Sequence, residues 1–93
     1  MGKREKKTKG TIADLDCTVA GEPWHPTGVI YVRKRGRFSQ IIMPHRVMAA
    51  AFSTLRVGNR VKVFGKLSRI KDGGMPVIVA RRVVGKTAIG WDG

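Results

Sequence analysis

Residues 55–84 read LRVGNRVKVFGKLSRIKDGGMPVIVARRVV, and the pattern inside this stretch decides the fold. Val61, Val63, Gly65 and Leu67 alternate with Arg60, Lys62, Phe64, Lys66 and Ser68. A period of two belongs to a β-strand, with one set facing a core and the other facing water. Asp72-Gly73 marks a hairpin turn. Residues 75–84 form the returning strand, with Pro76 near its start, where a lost donor is tolerated. The outward set of the first strand places Phe64 between Lys62 and Lys66. Single-stranded nucleic acid suits that combination, because bases stack on rings and phosphates pair with cations. The competing reading is that Phe64 covers a neighbouring strand, the helix or a second copy.

Upstream, Pro44 opens a helix over 45–55, where its missing N–H costs nothing in the first turn. Val47, Met48, Ala51, Phe52 and Leu55 fall on one face at helical spacing and are the expected core stripe. Residues 28–34 (GVIYVRK) and 37–43 (RFSQIIM) read as strands joined by the turn Arg35-Gly36. Residues 11–20 (TIADLDCTVA) alternate Ala13, Leu15, Cys17 and Val19 with Asp14, Asp16 and Thr18, a half-buried strand. Between them, 21–27 (GEPWHPT) is a loop, since two prolines and a glycine exclude regular structure.

The order is therefore β-β-β-α-β-β, all-β with one helix between strands three and four. Five strands with one helix in that place describe the OB-fold, a partly open barrel whose strand 2–3 face and bordering loops take oligonucleotides. The expected domain spans 11–84, with a disordered basic arm at 1–10 and a short irregular tail at 85–93. The arm is read from charge: Lys3, Arg4, Lys6, Lys7 and Lys9 stand in it without an apolar run. A chain of 93 residues allows one such domain.

From Phe38 to Val84 the chain resembles bacterial single-stranded-DNA-binding proteins and their short primosomal relatives. Leu55, Gly58, Val61, Val63, Gly65 and Leu67 match the Leu-x-x-Gly-x-x-Val-x-Val-x-Gly-x-Leu pattern of those families, after a helix rich in small residues and before a charged hairpin. The resemblance covers about half of the chain. It implies an OB-fold, single-stranded DNA as ligand, replication proteins as partners, and pairing of two copies through an edge strand. Ile41 or Ile42 and Met43 offer an apolar surface for such a homodimer. Two departures point to a specialised plasmid, phage or accessory binder. Residues 85–93 hold one acid, Asp92, where the family carries an acidic tail with an apolar tip, and the barrel is far more basic.

Charge supports the same ligand class. The chain carries 19 Lys and Arg against 6 Asp and Glu, a net charge of +13. Such an excess repels itself and attracts polyanions. The hairpin tip Arg33, Lys34, Arg35 and Arg37 is the first phosphate candidate, and Arg69 with Lys71 on the 4–5 hairpin is the second. Lys62 and Lys66 flank Phe64. Arg81 and Arg82 are adjacent in one strand, so at most one reaches the groove. Stacking candidates are Phe64, Tyr31, Phe38 and Trp24. Tyr31 faces out if Ile30 and Val32 face in; the opposite parity, with Val29 and Tyr31 inward, fits the sequence nearly as well. Phe38 could equally pack inward with Ile42, and Trp24 could close the barrel's open end. Trp91 reads as an anchor for the tail.

Other chemistry finds little footing. Cys17, His25 and His45 lack zinc-ligand spacing, and Asp14 with Asp16 reads as a solvent face. No glycine-rich loop matches a nucleotide fingerprint, and no nucleophile stands beside a base, so neither enzyme nor cofactor is expected. One cysteine allows no intrachain disulfide. The basic start runs into Gly10-Thr11 without a signal-peptide core, and no apolar stretch is long enough to span a bilayer, so the expected location is cytoplasmic. Two rival readings stand beside DNA: an RNA-binding OB protein resembling bacterial initiation factor one, and a protein-interaction module of a larger nucleoprotein complex.

Overall fold

The computed structural model describes residues 5–19, 27–87 and 89–91, the side chains of 17–19 excepted. Trp24 and His25 lie outside the described residues. The elements are β1 (Lys6–Val19), β2 (Thr27–Lys34), β3 (Arg37–Met43), α1 (His45–Ala51) extended by a 3-10 turn (Phe52–Thr54), β4 (Arg60–Leu67), β5 (Val77–Thr87) and β6 (Gly90–Trp91). Neighbouring strands run β3-β2-β1-β4-β5, all antiparallel. A parallel contact of Gln40–Ile42 with Val77–Val79 joins β3 to β5 and closes the sheet. The result is a closed five-stranded mixed barrel with one short helix between its third and fourth strands, an OB-like architecture.

The long first strand makes closure work. Its first part, Lys6 to Thr11, pairs with β4, and its second, Thr11 to Val19, pairs with β2. A bulge between Ile12 and Asp14 follows just after the handover at Thr11. Bulges bend a strand, which lets one chain segment serve both sides of a barrel. The bulge also shifts the expected phase: Ile12 is fully buried, whereas Ala13 is only half-buried.

The core is the inward set of every strand. Ile12, Ile30, Val32, Ile41, Met43, Val61, Val63 and Ile78 are at most 1% exposed. Burying each such side chain contributes about 1.5–3 kcal/mol. Met48, Ala51 and Leu55 join them from the helical segment. Gly65 is forced by packing, since a Cβ there would lie 2.2 Å from the Val79 carbonyl oxygen.

Five expectations need correction. β1 begins at Lys6 rather than Thr11, so Lys6 to Gly10 are paired strand and not a disordered arm. Pairing and solvation are compatible here because alternation turns Lys7 and Lys9 outward. The tail is not irregular from 85 onward: β5 runs to Thr87, and Lys86 pairs with Trp91. Phe52 is 67% exposed, because the α-helix stops at Ala51 and the tighter 3-10 turn carries the ring out of the stripe. Leu67, expected inward, is the last residue of β4 and is 49% exposed. Ile41 and Met43 are core residues, so only Ile42, half-buried, remains from the surface expected to pair two copies. No helix among the described residues is long and apolar enough to cross a membrane.

Candidate nucleic-acid interface

Directly paired residues of antiparallel strands share one face, so the registers define what the outer surface presents. Three rows cross β1 and β4. The first is Arg60, Thr11, Arg33 and Phe38, drawn from β4, β1, β2 and β3 in turn. The second is Val84, Lys62 and Lys9 from β5, β4 and β1. The third is Arg82, Phe64 and Lys7 from the same three strands. Rows two residues apart are spaced by about 6.5–7 Å. None of the three rows contains a carboxylate.

Each of the lower rows holds an aromatic ring under cations. The Lys7 ammonium and the Arg82 guanidinium each lie 5.8 Å from the Phe64 ring centroid. Trp91 folds onto the second row from β6. Lys62 Nζ is 4.2 Å from its ring, and the ammonium groups of Lys9 and Lys86 are each 5.8 Å away. The β5–β6 register holds Trp91 there, and the Thr87 hydroxyl donates a 2.8 Å hydrogen bond to the Gly90 carbonyl. Val84, which has outward parity, is nonetheless buried, so this part of the surface is covered. Solvent loss at its ammonium, then the like charges of Lys7, Lys9 and Lys86, hold Lys62 below the ordinary lysine range.

The expected site residues divide into groups. Lys62, Phe64 and Lys66 keep the outward parity of β4, with Val61, Val63 and Gly65 buried between them, but the cations that reach the Phe64 ring come from other strands. Strand neighbours at i±2 are about 6.5–7 Å away, whereas cross-strand partners are about 4.5–5.5 Å away, so Lys7 and Arg82 reach the ring instead. Lys66 pairs with Val79 and lines a different groove. Ile30 and Val32 are inward, which resolves the parity of Tyr31 as outward, beside Asp14 and Gln40. Phe38 is outward too and 46% exposed. Arg33, Lys34 and Arg35 line a basic cleft with Lys9 and Arg60. Arg37 is exposed opposite Lys34. Arg69 and Lys71 are exposed in the segment between β4 and β5, outside the three rows.

Arg81 and Arg82 do not take opposite faces as simple alternation predicts: both are exposed, and both line one pocket with Val47 and Ala50. The β4–β5 register steps from Phe64–Arg82 to Gly65–Ala80, which leaves Arg81 as the extra residue of a bulge. Arg81 donates two hydrogen bonds to the Glu5 carboxylate, one of them 2.9 Å from Nη2 to Oε1. Those hydrogen bonds are the main reason the Glu5 carboxyl sits below the usual range.

The sequence reading placed Lys7 and Lys9 in a disordered arm, passed over Arg60 and Lys86, left open whether Arg81 or Arg82 reaches the groove, and took Trp91 for a tail anchor. For Lys7 and Lys9 the signal existed: Lys-Thr-Lys-Gly continues the alternation of the strand that follows. For Trp91 no local pattern signalled that the ring would fold under Lys62. Among the described residues, no cluster of three His, Cys, Asp or Glu side chains could share a metal ion. A scan against protein-family models found no match to this chain, nor did a search of curated proteins.

Proposed function

We propose that this protein binds single-stranded nucleic acid, DNA ahead of RNA, with little sequence specificity, as an accessory to replication, recombination or plasmid or phage DNA processing. One observation carries the reading: Phe64 and Trp91 share an outer face with Lys7, Lys9, Lys62, Arg82 and Lys86, without a carboxylate in its rows. Cations follow the phosphates and rings stack the bases, a chemistry indifferent to base identity. The preference for DNA rests on the Leu55-to-Leu67 resemblance. The test is fluorescence anisotropy at near-physiological salt with single-stranded DNA, the same duplex and single-stranded RNA. Single-strand affinity about tenfold above duplex supports the reading, because bulk charge alone gives no such ratio. Equal affinity for all three sinks it, and tighter RNA binding favours the translation-factor-like alternative.

A second reading, a protein-interaction module, is favoured by one feature. Pro44, Val47, Gly65, Val79 and Ala80 line an apolar groove of about 740 Å³, in which Val79 is 42% exposed. Isolated protein that binds single strands no better than duplex is the outcome this reading expects.

A further inference from the structure

At the upper end of the three rows lies a cleft of about 510 Å³ lined by Lys9, Gly10, Thr11, Arg33, Lys34, Arg35 and Arg60. Five of its seven lining residues are cations and none is an acid. Its geometry follows from the register. Thr11 stands on β1 between Arg60 of β4 and Arg33 of β2, both directly paired with it. Adjacent strands are about 4.7–4.9 Å apart, so the two arginines rise from either side of the Thr11 hydroxyl within reach of one small anion above it. Lys9, two residues along β1, shares that outward face.

The hairpin tip adds a second, independent feature. Arg35 has φ of 52°, the one positive value at a non-glycine among the described residues. Gly36 follows at 76°. Two positive values in a two-residue loop make a type I′ turn, which Asn-Gly or Gly-Gly would form with less strain. Keeping arginine in a left-handed conformation carries a conformational cost that the hairpin itself does not require. The site holding that arginine also holds four other cations.

We infer that this cleft is a seat for a terminal phosphate monoester of a nucleic-acid strand, with Arg33 and Arg60 as its two arms and the Thr11 hydroxyl between them. The inference rests on the single-strand reading for the rest of the ligand. An internal diester brings one negative charge, whereas a monoester brings close to two and more free oxygens for guanidinium hydrogen bonds. Five cations without a carboxylate match the end of a strand better than its interior. A strand seated there by its end would run down the rows past Trp91 and Phe64.

The experiment compares one short DNA oligomer in three forms, with a 5′-phosphate, with a 3′-phosphate, and with hydroxyls at both ends. Anisotropy is measured at one ionic strength for the full-length protein. One phosphorylated form should bind about tenfold more tightly than the hydroxyl form, the scale of an added charge-assisted contact. Arg33→Gln and Arg60→Gln should each bring that ratio close to one, while Phe64→Ala should weaken both forms and keep the ratio. Because the readout is a ratio within each variant, a general loss of affinity does not disturb it. Millimolar inorganic phosphate should leave the ratio standing if a strand end is the ligand, and erase it if the cleft takes the free ion equally well, which would overturn the assignment. A wild-type ratio of one at both ends, or a ratio that survives both arginine variants, also overturns it. A single-strand preference without an end preference leaves the functional reading intact. An end preference without a single-strand preference removes that reading and keeps the cleft.

Discussion

The two halves of β1 present opposite charges on the same outer surface. Before the bulge, alongside β4, its outward residues are Lys7 and Lys9. After it, alongside β2, they are Asp14 and Asp16. The rings follow the division: Phe64 and Trp91 lie among cations, while Tyr31 lies beside Asp14. An OB-like barrel ordinarily takes oligonucleotides on its strand 2–3 face. In this chain the centre of that face borders two acids, and the cations gather one strand-pair away. The scaffold supplies a curved surface, and side chains decide which part of it can hold a polyanion.

The sharpest way to break this comparison is to remove one ring from each half. Phe64→Ala and Trp91→Ala should each weaken single-strand binding by about 1–3 kcal/mol, the usual worth of a stacked base. Tyr31→Ala should cost less than about 0.5 kcal/mol, because Asp14 repels the phosphates a base on that ring would bring. Titrations with a labelled oligomer, on variants whose circular dichroism matches wild type, would decide it. Equal losses from Tyr31 and Phe64 would restore the strand 2–3 face as the site.

A smaller effect sharpens the boundary. For a single strand, each lost phosphate contact flattens the plot of log affinity against log salt by about 0.7. Lys9→Ala and Lys62→Ala should each show that change. Lys66→Ala should not, since Lys66 lies beside Val79 in the apolar groove. A flattened slope for Lys66→Ala would extend the track to the far end of β4.

Much of the barrel was legible in the residues. The alternation around Val61 and Val63, the Arg35-Gly36 turn and the single helix all acted within a few positions of each other, the range at which periodicity and turn chemistry speak. Gly65 was visible as part of a pattern, though its cause, the Val79 carbonyl, lies on another strand. The site was less legible, because it is made across strands. Which cations meet Phe64 depends on the β1–β4 and β4–β5 registers, and nothing near Phe64 in sequence encodes them. Lys7 and Lys9 were hidden by their own charge, which reads as a solvated arm until the alternation is followed back through Gly10. Phe52 misled for the opposite reason: helical spacing was extended past Ala51, where the backbone tightens.

The subtlest consequence of the comparison concerns Lys62. Its ammonium has lost solvent and faces Lys7, Lys9 and Lys86, so it releases its proton below the ordinary lysine range. Between that lowered value and the ordinary one, the unfolded chain holds more protons than the folded one. Stability from this group therefore rises with pH across that window. A bound phosphate reverses the balance by supplying the missing countercharge and raising the Lys62 value. Binding in the window should thus take up protons, and affinity should fall as pH climbs through it. Calorimetry at alkaline pH, in two buffers of different ionisation enthalpy, reads the uptake directly. Wild type should show it, Lys62→Ala should lose most of it, and Asp14→Asn on the other half of β1 should leave it unchanged. Uptake that persists in Lys62→Ala would mean that the phosphates sit away from the Trp91 cluster, and the contrast between the two halves would then describe charge placement without describing the binding path.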